Sequence, residues 1–131
     1  MPDLANFEDI NKPVLMPIED PSTGEPWVDQ DGNVAALMLY SRDSKIAKEE
    51  AFRQVDESRK KNLNDESAAK TDANNRLLYA KCVHSIINIQ EDGKDLESDV
   101  ETVMALFKKA PWLYSQVIDF VEKRANFIKR R

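Results

Sequence analysis

Cysteine, glycine and long apolar runs are scarce in this sequence, and each shortage excludes a class of protein. The single cysteine, Cys82, can form no disulfide within the chain and cannot build a cysteine-based zinc site. Three glycines are too few for an all-β fold with many tight turns. No run approaches the ~18 apolar residues that a membrane-spanning helix requires, so we expect no membrane association.

Length and charge describe an ordinary globular chain. The 131 residues match one domain, with 41% hydrophobic and 33% charged residues. The opening residues, MPDLANFEDI, have neither the basic nor the apolar region of a signal peptide, so we expect a cytoplasmic protein. The net charge is −5, and the acidic excess lies in the N-terminal half. Because an acidic chain repels phosphate, we expect no binding to nucleic acid.

The chain divides into an arm, a β element and a helical part. Residues 1–12 show little pattern and are predicted to be a flexible N-terminal arm. Residues 13–131 are predicted to form one mainly helical domain. Within it, two apolar runs separated by turn formers predict a short β-hairpin element over residues 13–40. Pro17 lies inside the first run, so the first strand is predicted to be either at an edge or broken. Residues 41–131 are predicted to hold three to four helices, so the fold class is mainly α, with α+β character.

The first predicted helix follows three candidate N-caps, Ser41, Asp43 and Ser44. Helical spacing places four apolar residues on one face, which is expected to point inward: Ala47, Ala51, Phe52 and Val55. The polar segment that follows, Asn62–Asn75, is predicted to be either a loop or a weakly helical, exposed bridge.

The broadest apolar helical pattern lies in the middle of the chain. It predicts a central, buried helix over about Asp72–Gln90, which ends before Gly93. Ser98 and Glu101 fit a capping box for a third helix, and Pro111 suits the first turn of a fourth. The fourth helix is expected to bury four residues on its inner face: Leu113, Val117, Phe120 and Val121.

The residues capable of catalysis or metal binding form no recognisable site. Cys82 and His84 are two positions apart, which points their side chains roughly 200° apart on a helix, so both are interpreted as structural. The segment DQDGN, residues 29–33, lacks the glycine and glutamate positions of a calcium loop and is interpreted as a turn. No phosphate-binding, dinucleotide-binding or zinc-protease motif occurs. We therefore expect no enzyme activity, no cofactor and no metal site.

A cluster of basic residues closes the sequence. Its members are Lys123, Arg124, Lys129, Arg130 and Arg131. The favoured interpretation is a helix end whose positive charge offsets the helix dipole. The alternatives are contact with nucleic acid, with an acidic partner, or with the acidic half of a second copy.

Aromatic residues after Pro111 are the main indication of a binding surface. Trp112, Leu113 and Tyr114 span about 200° of helix, so they cannot all face one core. At least one bulky group should therefore be partly exposed, and aromatic residues are enriched at protein interfaces. The candidate residues for partner binding or self-association are Trp112, Tyr114 and Phe127, followed by Trp27 and Tyr40.

Four segments, in order, give the chain a family resemblance. They are PSTGEPWVDQDGN with VAALMLYSRDSKIAKEEAFR, then LLYAKCVHSIINI with QEDGKD, then LESDVETVMALFKKAPWLYSQV, and finally IDFVEKRANFIKR. In this order they resemble the tail assembly chaperones of long-tailed bacteriophages, the lambda-like and related siphophages and their prophages. The resemblance covers about residues 13–129, and it departs at Ile89, where many relatives have a tryptophan.

The resemblance implies a function and a set of partners. Such a chaperone binds the hydrophobic tape measure protein, keeps it soluble while the tail tube assembles, and is absent from the mature virion. It is expected to form homo-oligomers in the bacterial host cytoplasm. A longer form made by translational frameshifting is expected to recruit the major tail tube protein. The alternatives are a structural head–tail or tail component of a phage or prophage, and a helical nucleic-acid-binding regulator.

Overall fold

The described chain, residues 1–60 and 68–130 of the computed structural model, folds into a three-stranded antiparallel sheet, a small hairpin and four α-helices. The sheet consists of β1 (Val14–Pro17), β2 (Ala36–Leu39) and β3 (Val83–Ile87), and the hairpin of β4 (Gln90–Glu91) and β5 (Lys94–Asp95). The helices are α1 (Lys45–Lys60), α2 (Ala68–Lys81), α3 (Val100–Lys109) and α4 (Pro111–Glu122). The predicted α+β character is confirmed.

The predicted N-terminal hairpin forms the first two strands of the sheet. β1 pairs antiparallel with β2, with Val14 opposite Leu39 and Pro17 opposite Ala36. Pro17 lies in an edge strand, where its missing amide leaves no central ladder bond unmade. β2 is the central strand, and most of its side chains are buried.

The third strand comes from a segment whose sequence predicted helix. Helix α2 ends at Lys81 instead of continuing to Gln90, and β3 follows it, antiparallel to β2. Three β-branched residues suit this segment to a strand: Val83, Ile86 and Ile87. β2 is distant in sequence but offers these residues an apolar pairing edge. Tertiary pairing therefore overrides the local helical periodicity.

Two predicted helix boundaries are also corrected. Gly93 does not end a helix; it adopts a φ of +79° in the tight turn between β4 and β5. The N-cap of α3 is Asp99, whose carboxylate accepts a hydrogen bond from the Thr102 amide at 2.7 Å. The Ser98 hydroxyl, predicted to be the cap, instead accepts a hydrogen bond from the Ile86 amide at 2.8 Å. This bond ties the start of α3 to β3.

Helices α3 and α4 bury the apolar faces that their spacing predicts. Their buried residues are Val103, Phe107, Leu113, Val117 and Val121. These residues share one core cluster with Leu37 and Leu39 of β2, whereas Phe120 is half-buried. Ala110 ends α3 by donating its amide to a carbonyl of that helix, and Pro111 begins α4, as predicted.

Helix α1 starts close to its predicted cap, but its inner face differs from the prediction. The Ser44 hydroxyl accepts a hydrogen bond from the Ala47 amide at 3.3 Å and caps the helix. Ala47 is buried, whereas Phe52 is 67% exposed and Val55 is 48% exposed. The prediction that both larger residues point inward is therefore wrong. The inner face carries the buried side chain of Glu50 instead.

Residues 1–12, predicted to be a flexible arm, contact both ends of the helical part. The Glu8 amide donates to the Lys129 carbonyl at 3.0 Å. The side-chain oxygen of Asn11 accepts a hydrogen bond from the Lys45 amide at 2.8 Å, at the start of α1. The segment thus joins the first turn of α1 to the C-terminal residues.

Part of the polar segment Asn62–Asn75 is helical. Residues 68–75 belong to α2, whereas residues 62–67 lie outside the described residues. Arg131, from the basic C-terminal cluster, also lies outside them. None of the described helices is long and apolar enough to cross a membrane.

Candidate partner-binding surfaces

Two predicted partner residues, Trp27 and Trp112, form a pair. Their ring centroids are 5.9 Å apart at an interplanar angle of 75°, an edge-to-face contact. Trp27 lies in the connection between β1 and β2, where its amide donates to the Ile18 carbonyl at 2.9 Å. Trp112 follows Pro111 in the first turn of α4. Both side chains pack against the core and are only half-buried, so the pair retains accessible surface.

A hollow of about 570 Å³ lies beside Trp27. Val28 lines this hollow and is 49% exposed, and its antiparallel partner Val34 is 36% exposed. Most of the remaining lining is polar: Asp29, Gln30, Asp31, Asn88 and Gln90. We refer to four of these residues as the tryptophan surface: Trp27, Val28, Val34 and Trp112. Its aromatic and apolar content within a polar rim is typical of a protein-binding site.

Residues 29–33 form the predicted turn at the edge of this hollow. The Asp29 carboxylate accepts hydrogen bonds from the Asp31 amide at 2.8 Å and from the Asn33 amide at 2.9 Å. Gly32 adopts a φ of +82°, which glycine tolerates best. The Asn33 amide is the main cause that holds the pKa of Asp29 below its usual value. Within the described residues, no group of three or more His, Cys, Asp or Glu side chains is arranged to hold a metal ion.

Tyr114, another predicted partner residue, belongs to an aromatic cluster. Its ring stacks on Phe107 at 4.9 Å and meets Tyr79 edge-to-face at 5.9 Å. The Tyr79 hydroxyl donates to Glu122, and burial, followed by this hydrogen bond, raises the pKa of Tyr79. Burial also raises the pKa of Tyr114. Leu113 is buried while both flanking aromatic residues are half-buried, as helix geometry predicted.

Phe127, predicted to bind a partner or a second copy, is a core residue and offers no exposed surface for such a contact. Helix α4 ends at Glu122, and a 3-10 turn over Arg124–Asn126 folds the chain back. The Phe127 side chain is 1% exposed, and its ring meets Phe120 edge-to-face at 5.5 Å. The turn takes Phe127 off the end of α4 and lets its ring pack into the core.

Tyr40 follows the end of β2 and pairs with a different ring. It meets His84 edge-to-face at 5.7 Å, and its amide donates to the Cys82 carbonyl at 2.7 Å. His84 is exposed, whereas Cys82 is fully buried. Burial raises the pKa of the Cys82 thiol to about 12. The thiol is therefore protonated near neutral pH and lacks the thiolate character of a catalytic cysteine.

The outward side of α1 is a candidate surface that the sequence pattern did not identify. The Glu50 carboxylate on its inner side accepts hydrogen bonds from Arg53 at 2.8 Å and from Gln54 at 3.3 Å. Gln54 also donates to a carbonyl of α2 at 2.8 Å. This polar joint thus takes a buried position, while Val55 lines the groove between α1 and α2 and Phe52 lies on another side of α1, near Ile10 and Asn11. One sequence signal indicates this arrangement. Arg53 and Gln54 follow Glu50 by three and four residues, a spacing that lets their side chains interact on one side of a helix.

The five predicted partner residues do not form one surface. Trp27 and Trp112 belong to the tryptophan surface, Tyr40 and Tyr114 pack in separate ring contacts, and Phe127 is buried. The chain matches no protein-family model, no curated protein and no solved structure.

Proposed function

We propose that the chain is a phage tail assembly chaperone, which binds the tape measure protein and keeps it soluble while the tail tube assembles. The observation that carries this proposal is the half-buried Trp27–Trp112 pair, whose Trp27 lines a hollow together with the exposed Val28. The order of the four sequence segments supports the same proposal. The proposed role is non-enzymatic, uses no cofactor or metal, and takes place in the cytoplasm of the bacterial host.

The tryptophan surface suits a client that must later be released. A long helical client exposes apolar stripes before assembly, and such stripes promote aggregation. Rings already fixed by packing can cover an apolar side chain with little loss of conformational entropy. A single small surface binds the client weakly, so the growing tube can displace the chaperone from the client. Several copies along one client supply holding strength through avidity.

The proposal includes two further associations. The chain forms homo-oligomers, which place several client surfaces along the tape measure protein. A longer form made by frameshifting binds the major tail tube protein and brings tube subunits to the complex. Both associations follow from the sequence resemblance and are open to direct measurement by co-purification.

Co-expression with the tape measure protein of the same genome tests the proposed function. Val28 and Val34 are exposed, so a V28D/V34D variant charges the tryptophan surface with little change in the core. We expect wild type to keep the client in the supernatant after centrifugation, and the double variant to lose most of this effect.

The matched control is Leu15→Asp, because Leu15 is 47% exposed and lies outside the tryptophan surface. This variant should solubilise the client as wild type does, with circular dichroism confirming that all variants fold. Equal activity of V28D/V34D would remove the tryptophan surface from the proposal. A client that is equally insoluble with and without wild type would contradict the function itself.

The runner-up function is a structural head–tail or tail component. Mass spectrometry of purified virions separates the two, since a chaperone is absent from the finished particle and a structural component is present. Gene order gives a second check, because the chaperone is expected between the genes for the major tail protein and the tape measure protein.

A further inference from the structure

The groove between α1 and α2 combines an apolar floor with two arginines. Its volume is about 510 Å³. Ala51, Val55 and Leu78 supply apolar surface, and Arg42 and Arg59 also line it. The other lining residues are uncharged and polar, so no carboxylate lines this groove among the residues that the structure describes. Among the described lining residues the charged groups are therefore both guanidinium groups, in a chain that has 24 acidic and 19 basic residues.

The two groove arginines differ from the paired arginines elsewhere. Arg53 and Arg124 each form ion pairs with carboxylates at less than 3 Å. Neither Arg42 nor Arg59 makes a side-chain hydrogen bond or ion pair with any described residue. Guanidinium groups bind carboxylates through two parallel hydrogen bonds, so both remain available for such contacts.

We propose that this groove docks an acidic amphipathic segment of a partner protein. Carboxylates of the segment pair with Arg42 and Arg59, and an apolar side chain between them covers Val55 and Leu78. A helix or strand of mixed character meets both requirements, as in helix-in-groove recognition. The groove is distinct from the tryptophan surface, and this docking does not depend on the proposed function.

The lining favours a peptide over nucleic acid. Two arginines also suit phosphate, but the described lining of the groove includes no aromatic ring on which a base could stack. The apolar floor gains nothing from a phosphate backbone, and the net charge of −5 opposes a polyanion at longer range. An acidic peptide carries fewer charges and brings the apolar side chain that the floor requires.

Two labelled helical peptides provide the test. Both carry leucines at spacings of three and four residues; one is flanked by glutamates and the other by lysines. The full chain is titrated into each peptide and fluorescence anisotropy is recorded at about 0.05 M and about 0.5 M salt. We expect the glutamate peptide to bind at low salt and weaken at high salt, and the lysine peptide not to bind.

Variants locate the docking site on the groove. R42Q and R59Q should each weaken binding of the glutamate peptide by about 3–5-fold, the range for partly exposed ion pairs. V55D should abolish binding. Two exposed residues of α1 outside the groove supply the controls, and K60Q and F52D should bind as wild type does.

Four results would overturn the proposal. They are equal binding of both peptides, no binding of the glutamate peptide, equal losses for F52D and V55D, and tighter binding of a single-stranded oligonucleotide than of the glutamate peptide. Because the probes are synthetic peptides, none of these results bears on binding of the tape measure protein.

Discussion

The pair α1–α2 and the pair α3–α4 are held together by different chemistry. Phe107 and Leu113 lie in the core between sheet and helices, and Pro111 fixes the joint between their two helices. In the other pair, the Gln54 side chain of α1 donates hydrogen bonds to Glu50 within its own helix and to the Asn74 carbonyl of α2. The α3–α4 pair is therefore part of the apolar core, as are Leu78 and Ala80 of α2, whereas α1 is joined to that core mainly through α2.

An amphipathic pattern predicts which residues share a helical face, but it does not predict whether that face is buried. Phe52 and Phe107 both stand on an apolar helical face, yet one is 67% exposed and the other 1% exposed. The spacing groups residues on a face, but the neighbouring element decides whether that face points inward. In α1 a buried position is taken by Glu50, so Phe52 is exposed and Val55 lines the groove beside α2.

The largest expected effect on the free energy of unfolding comes from replacing a phenylalanine by alanine in α3, compared with the same replacement in α1. Phe107→Ala removes a fully buried ring from the core and should lower the free energy of unfolding by about 3–5 kcal/mol. Phe52→Ala removes an exposed ring of the same type and should change it by no more than about 0.5 kcal/mol. Urea unfolding followed by circular dichroism measures both. Similar losses for the two variants would place Phe52 in the core and break the comparison.

Alkaline pH should probe Cys82, which is buried where α2 leads into β3. Burial raises the pKa of its thiol from 9.0 to about 12. The unfolded chain loses this proton first, so the contribution to stability is complete below pH 9 and falls as pH rises toward 12. The loss at about pH 10.5 should be on the order of 2 kcal/mol.

The control for this pH dependence is Cys82→Ala, which removes the titrating group. Other alkaline titrations are common to both proteins. Between pH 8.5 and 10.5, wild type should therefore lose about 2 kcal/mol more stability than C82A. Parallel pH profiles would show that the base of α2 is open to solvent, unlike the core around α3 and α4.

A smaller effect is expected at the start of α1. Ser44→Ala removes the hydroxyl that caps the helix and should lower stability by about 1 kcal/mol. Ser115→Ala is the control, because Ser115 is exposed within α4 and caps no helix. Thermal unfolding measures both variants. An unchanged S44A protein would show that packing, rather than the cap, holds the start of α1.

Local rules predicted much of the β1–β2 hairpin and of helices α3 and α4 from the sequence. Proline and turn formers marked the β1–β2 hairpin, and Pro111 marked the start of α4. The buried positions of α3 and α4 also followed from helical spacing. Each of these features depends on residues close together in the sequence. The exchange of Ser98 for Asp99 as a cap shows the limit, because a distant amide of β3 takes the serine hydroxyl.

The remaining features depend on long-range contacts. Ile86 fits a helical line with Leu78, but β2 recruits it into a sheet. The Trp27–Trp112 pair joins residues from opposite ends of the chain, so no local pattern indicates it. Sequence identified both tryptophans as candidate partner residues, and only the fold places them side by side.

Amide hydrogen exchange measured along the full chain tests the difference between the helix pairs most directly. Amides of α4 around Val117 and Val121 should exchange only through global unfolding, because these residues are buried in the core. Amides from Phe52 to Lys60 in α1 should exchange on the order of tenfold faster or more, through local opening of the polar joint. Equal protection in the two helices would contradict this division of the molecule.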